Sequence, residues 1–116
     1  MYSVTEQFVA WLSGEGYATS TYPKADAPDE FVTVERTGGG TADMVDYPTV
    51  AIQTWAPTEA RAEEMAVSIR NALMTRSRPR GIAKVNVNSG PYPFWDEDTR
   101  CPRYQLVLDC TAQLTD

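Results

Sequence analysis

Two periodicities meet in the middle of this chain. Val50 and Ile52 fall on one side of a short extended run, with Ala51 and Gln53 on the other. One proline later the period changes. Ala62, Met65, Ala66, Ile69, Ala72 and Leu73 recur at i, i+3, i+4, i+7, i+10 and i+11, a narrow apolar stripe along one helix. Arg61, Glu63, Glu64, Ser68, Arg70 and Asn71 make up its opposite face, Thr58 is the expected N-cap, and Glu59 suits the positive end of the helix dipole. Such a helix is not stable alone and must lay its stripe on a sheet.

The flanks supply the rest of a fold. Ser3 and Glu6 have the spacing of a capping box, and Val4, Phe8, Trp11 and Leu12 form a second helical stripe over about residues 4–14, ended by Gly14 or Gly16. Tyr17–Tyr22 reads as a short strand and Pro23–Glu30 as a connection. Phe31–Arg36 reads as a strand with Val32 and Val34 on one face. Residues 37–48, TGGGTADMVDYP, read as an exposed, flexible glycine-rich loop or hairpin about ten residues long. After the turn RSRPRG, residues 82–88 alternate, with Ala83, Val85 and Val87 against Lys84, Asn86 and Asn88. The stretch GPYPFWDEDTRCP reads as a loop. The last strand alternates most clearly: Tyr104, Leu106, Leu108, Cys110, Ala112 and Leu114 face one way, and Arg103, Gln105, Asp109, Thr111 and Gln113 the other. The order predicts one α+β domain over residues 1–116: a mixed, mainly antiparallel sheet with two helices packed on one face.

Composition narrows the function classes. A 116-residue chain that is 42% hydrophobic can bury a real core. It has no apolar run long enough to span a bilayer, and its N-terminus lacks the basic region of a signal peptide, so a cytoplasmic site of synthesis is expected, without membrane contact. The formal charge of −6 argues against a grip on nucleic-acid phosphates. The cluster Arg76, Arg78, Arg80 and Lys84 reads as a helix C-terminus followed by a solvated loop, with phosphate or an acidic partner as the alternative. Cys101 and Cys110 are nine residues apart in an extended segment, roughly 30 Å, far beyond the span of a disulfide. Both are expected as thiols, Cys110 buried.

Candidate chemistry is sparse. Histidine is absent, which removes the usual general base and the commonest metal ligand, so no serine or cysteine has a triad partner. Gly38, Gly39 and Gly40 lack the lysine and the following helix of a phosphate loop. Asp96, Glu97 and Asp98 have no EF-hand spacing and are expected to face water. The chain is expected to be no enzyme, with no catalytic residue, cofactor or metal. What remains is contact surface. Trp55 lies opposite Val50 and Ile52 by strand parity, so it is either turned inward at a strand end or exposed for an intermolecular contact; Tyr92, Phe94 and Trp95 pose the same choice. The mobile Gly38–Asp46 segment, with Met44 and Val45 as apolar contact groups, is the first-choice docking element.

Over residues 4–114 the chain resembles the tail terminator proteins of long-tailed bacteriophages and prophages, also called minor capsid or tail completion proteins. The matching features are Val34, Arg36, Gly38 and Gly39 at a strand end, Ala60 with the small-residue-rich helix, and Pro102-Arg103-Tyr104-Gln105 opening the last strand. The resemblance implies a structural virion protein, assembled in the bacterial host cytoplasm, that forms a homo-hexameric ring on the head-proximal end of the tail. Its implied partners are other copies of itself, the major tail tube protein and the head-side connector protein. DNA would pass through an acidic, non-adhesive lumen without specific binding. A head-closure or neck connector protein is the alternative, followed by a small ligand-binding or accessory bacterial domain.

Overall fold

The computed structural model describes residues 1–95 and 101–115. Helix α1 (Val4–Gly14) starts where expected: the Ser3 hydroxyl accepts from the Glu6 N–H at 3.3 Å, and Val4, Phe8 and Leu12 are buried. A two-residue strand β1 (Thr19–Ser20) leads to the long hairpin β2 (Phe31–Ala42) and β3 (Val45–Trp55). Thr58 then caps α2 (Glu59–Thr75), accepting from the Arg61 N–H at 3.2 Å, and all six residues of the predicted stripe are buried. Strands β4 (Ile82–Pro93) and β5 (Arg103–Gln113) complete the chain.

The sheet order is β1-β2-β3-β5-β4, with β1 parallel to β2 and every other pair antiparallel. Because β3 and β4 each run antiparallel to β5, they run parallel to one another. The α2 crossover joins them over the strand that lies between. Both helices cover the same face, so that Phe8, Leu12, Ile69 and Leu73 meet Val34, Ile52, Leu106 and Leu108 in a single core. The α+β architecture expected from the periodicities is the one observed. No helix among the described residues is long and apolar enough to cross a membrane.

Four local expectations are corrected. Of the two alternatives for residues 37–48 the hairpin is observed and the flexible loop is not: β2 and β3 stay paired to Ala42↔Val45, and the reversal takes only Asp43 and Met44, with φ of 52° and 66°. That two-residue, left-handed turn matches the strand twist. A bulge between Arg36 and Gly38 absorbs one residue of register. Gly90–Pro93, expected in a loop, continues β4 opposite Gln105 and Tyr104. An irregularity between Ile82 and Lys84 puts Ile82 inside and leaves Ala83 exposed, reversing Ala83's assignment. Leu114 lies past the end of β5 and is exposed, so it does not extend the core stripe.

Candidate functional site

Alternation that places Val34, Ile52 and Leu106 under the helices places Thr33, Gln53 and Gln105 on the other face. No helix lies there, yet these three residues are buried. Their polar atoms satisfy one another. The Thr33 hydroxyl donates to Gln53 Oε1 (2.8 Å), and Gln53 Nε2 donates to Gln105 Oε1 (2.7 Å) and to Glu35 Oε1 (3.1 Å). Gln105 Nε2 in turn donates to the Tyr92 hydroxyl at 2.5 Å. One chain of hydrogen bonds thus crosses β2, β3, β5 and β4, using both protons and the oxygen of the Gln53 amide.

An aromatic stack closes one end of this face. Trp55 does face away from the helices, as its parity requires, but it is 3% exposed. Phe31 stacks on it with ring centroids 5.2 Å apart, and its indole N–H donates to the Thr33 hydroxyl at 3.1 Å. The Arg103 guanidinium lies between Trp55 and Phe94, 4.6 and 4.4 Å from their ring centres. Arg103 Nε also donates to the Phe94 carbonyl at 2.7 Å, and the Phe94 N–H returns a bond to the Arg103 carbonyl. Tyr92 meets Phe94 edge-on. Trp55, Tyr92 and Phe94 therefore form one cluster. Trp55 serves as its buried floor and Phe94 (39% exposed) as its outer surface, and the next residue, Trp95, is 54% exposed.

The other candidate contact residues sit at the far end of the sheet. Ten residue steps along β3 separate Val45 from Trp55, roughly 33 Å of strand in a molecule 42 Å long. Met44, 84% exposed, is the tip, and Val45 is half-buried beneath it. A fork from Arg36 to the Asp46 carboxylate, 2.7 and 2.8 Å, ties the two strands together, and Arg36 Nε donates to the Gly38 carbonyl. This pairing raises the Arg36 pKa above its ordinary value. Nothing in the alternation pattern marks Arg36 and Asp46 as partners, and the strand register sets Arg36 opposite Val50 and Asp46 opposite Thr41, so only the reach of the arginine side chain along the hairpin brings them together.

The three glycines divide into two kinds. Gly39 has φ of +94°, and a Cβ there would lie 2.0 Å from the Tyr47 carbonyl oxygen, so the fold itself requires glycine. Gly38 and Gly40 pair with Thr49 and Tyr47 on the open face, and a Cβ on either would meet nothing within 4 Å. Their bareness leaves a flat strip beside the half-exposed Tyr47 ring.

The Cys101 thiol is half-buried and donates to the Ala56 carbonyl, and burial pushes the Cys110 thiol up to about 12. Arg76 pairs with Glu15 at 2.5 Å, and Arg78 donates to the Ala83 carbonyl, so the basic segment ties α1, α2 and β4 together. The acidic run Asp96–Asp98 lies outside the described residues. Among the described residues no three His, Cys, Asp or Glu side chains are grouped to hold a metal, and every buried side-chain N and O has a partner. No protein-family model matches the chain, and no curated protein matches it.

Proposed function

We propose that this chain is a structural subunit of a phage virion, a tail terminator that closes into a ring on the tail tube and presents the surface to which the head-side connector joins. The observation that carries the proposal is the uncovered sheet face with an apolar contact group at each end: Phe94 and Trp95 at one, Met44 and Tyr47 at the other. A subunit between tube and connector needs two separated contact regions on a rigid body, and a hydrogen-bonded sheet supplies one. Glycine in an extended strand costs stability and often marks the close approach of another backbone. Gly38 and Gly40, which this fold does not itself require, support such an approach. The acidic balance suits a lumen that lets DNA pass. The whole-chain resemblance supplies the identity of the partners: further copies of this chain, the tube protein and the connector.

Phage particles lacking the protein test the proposal. Tails of uncontrolled length that fail to join heads are expected by electron microscopy. Tails of normal length joined to heads would overturn the reading.

A further inference from the structure

The two outer strands of the sheet differ in what they leave open and in charge. β1 pairs only with Val32 and Thr33, so from Val34 to Ala42 no described residue is paired to the outer edge of β2. That edge carries no lysine and no proline and is interrupted by the bulge between Arg36 and Gly38, whereas the β4 edge carries Lys84, Pro91 and Pro93, devices that favour contact through side chains over continuous strand pairing. Acidic groups outnumber basic ones among its exposed charges: Glu35 on the strand and Asp43 at its tip, with Asp26 and Asp29 against Lys24 in the segment leading into it; Arg36 pairs with Asp46. At the opposite edge, Lys84 is the one charged residue of β4, and Arg78 and Arg80 are exposed just before the strand. An acidic edge and a basic edge therefore lie on opposite sides of one sheet.

From this asymmetry we infer that the β2 edge of one copy docks against the Lys84 edge of the next, in head-to-tail order. A two-fold pairing of β2 with β2 in the register centred on Gly39 would bring Glu35 of one copy toward Asp43 of the other, like charges facing, and no register of that pairing brings in Lys84. Docking β2 against β4 places opposite charges together instead. Contact between two different surfaces is heterologous and propagates, closing into a ring when the rotation allows. The inference deepens the ring assembly of the terminator reading but rests on the edges alone, so either stands if the other fails.

Zero-length carbodiimide cross-linking of an equal mixture of unlabelled and 15N-labelled protein tests it. Within one subunit Lys84 lies three strand spacings from β2, roughly 14 Å, out of reach of a direct amide bond to Glu35 or Asp43. Isotopically mixed cross-links from Lys84 to Glu35 or Asp43 are the expected result. Two charge reversals extend the test: Lys84→Glu with Arg78→Glu, and Glu35→Lys with Asp43→Lys. Each alone is expected to weaken self-association at least about tenfold by analytical ultracentrifugation, and mixing the two proteins is expected to restore it. Oligomers that form without those cross-links and ignore both reversals would overturn the edge assignment while leaving the terminator reading intact. A protein monomeric at every concentration and free of mixed cross-links would also overturn it.

Discussion

Ile52 and Gln53 are consecutive residues of β3, both almost wholly buried, and their surroundings have nothing in common. Ile52 lies among Phe8, Ile69 and Leu106, where burial is non-directional and any apolar group of the right volume serves. Gln53 lies in a lattice of hydrogen bonds, where each neighbour must be a particular atom in a particular place. The helix-covered face makes the fold, and it uses a chemistry that tolerates exchange. The open face is held rigid without a covering layer, which leaves it available to another molecule. A sheet needing helices on both sides would have no such surface.

Breaking the covered face should have the larger effect. Ile69→Asp would place an unpaired carboxylate in the core, at a site 1% exposed, and should cost more than about 4 kcal/mol, enough to unfold the domain. Circular dichroism and urea titration measure this. A folded, soluble variant would show that α2 does not pack as described. Phe8→Ala should cost about 3–5 kcal/mol in the same assay.

On the open face the direction of the effect distinguishes the chemistry. Gln53→Ala strands the Gln105 oxygen and removes the acceptor of the Thr33 hydroxyl, for an expected loss of about 1–3 kcal/mol. The double variant Gln53→Leu/Gln105→Leu fills the space and removes both amides together, so its loss should be smaller than the sum of the two alanine variants. Strict additivity would mean that the two glutamines do not act as one network. Arg103→Ala should cost about 1 kcal/mol through the lost stacking between Trp55 and Phe94, with a change in tryptophan fluorescence.

The contrast between the faces also explains what was legible in the sequence. The helices were, because Val4–Leu12 and Ala62–Leu73 carry apolar periods with polar caps, and burial follows period. So was the parity of Trp55, but not its burial, because Phe31 and Arg103 reach it from neighbouring strands and periodicity does not record cross-strand neighbours. The regular pairing of the hairpin, expected as flexible, has the same cause. Three glycines lower its own strand propensity, while the pairing that holds it comes from Asp46–Val50 and from the Arg36–Asp46 fork. Gly90–Pro93 likewise looks like a break along the chain but lies against Tyr104 and Gln105 in space.

Alkaline pH separates the faces further. Burial in the core holds the Cys110 thiol protonated to about pH 12, against an ordinary value of 9.0, whereas the unfolded thiol ionises near that lower value. The folded pKa is raised, so this contribution to stability is full below about pH 9 and is lost as pH rises toward 12. Urea midpoints measured between pH 8 and pH 11 should therefore fall more steeply for the parent than for Cys110→Ala. Equal slopes would place the thiol in water.

The smallest effect on stability should come from Gly38→Thr and Gly40→Thr, and it is where the two faces part most clearly. Neither glycine has a positive φ, and a Cβ at either meets nothing within 4 Å, so a β-branched residue fits the strand. Threonine should leave the domain as stable as the parent or raise its stability by up to about 1 kcal/mol, through a less flexible unfolded chain and better strand propensity. Gly39→Thr is the control: with φ of +94° and the Tyr47 carbonyl 2.0 Å from its Cβ, it should be destabilised by more than that amount. If the bare strip beside Tyr47 receives another backbone, Gly38→Thr and Gly40→Thr subunits should be folded yet fail to complement phage lacking the protein. Full complementation by both would move the contact off the glycine strip, leaving Phe94 and Trp95 at the opposite end of the sheet as the surface to test next.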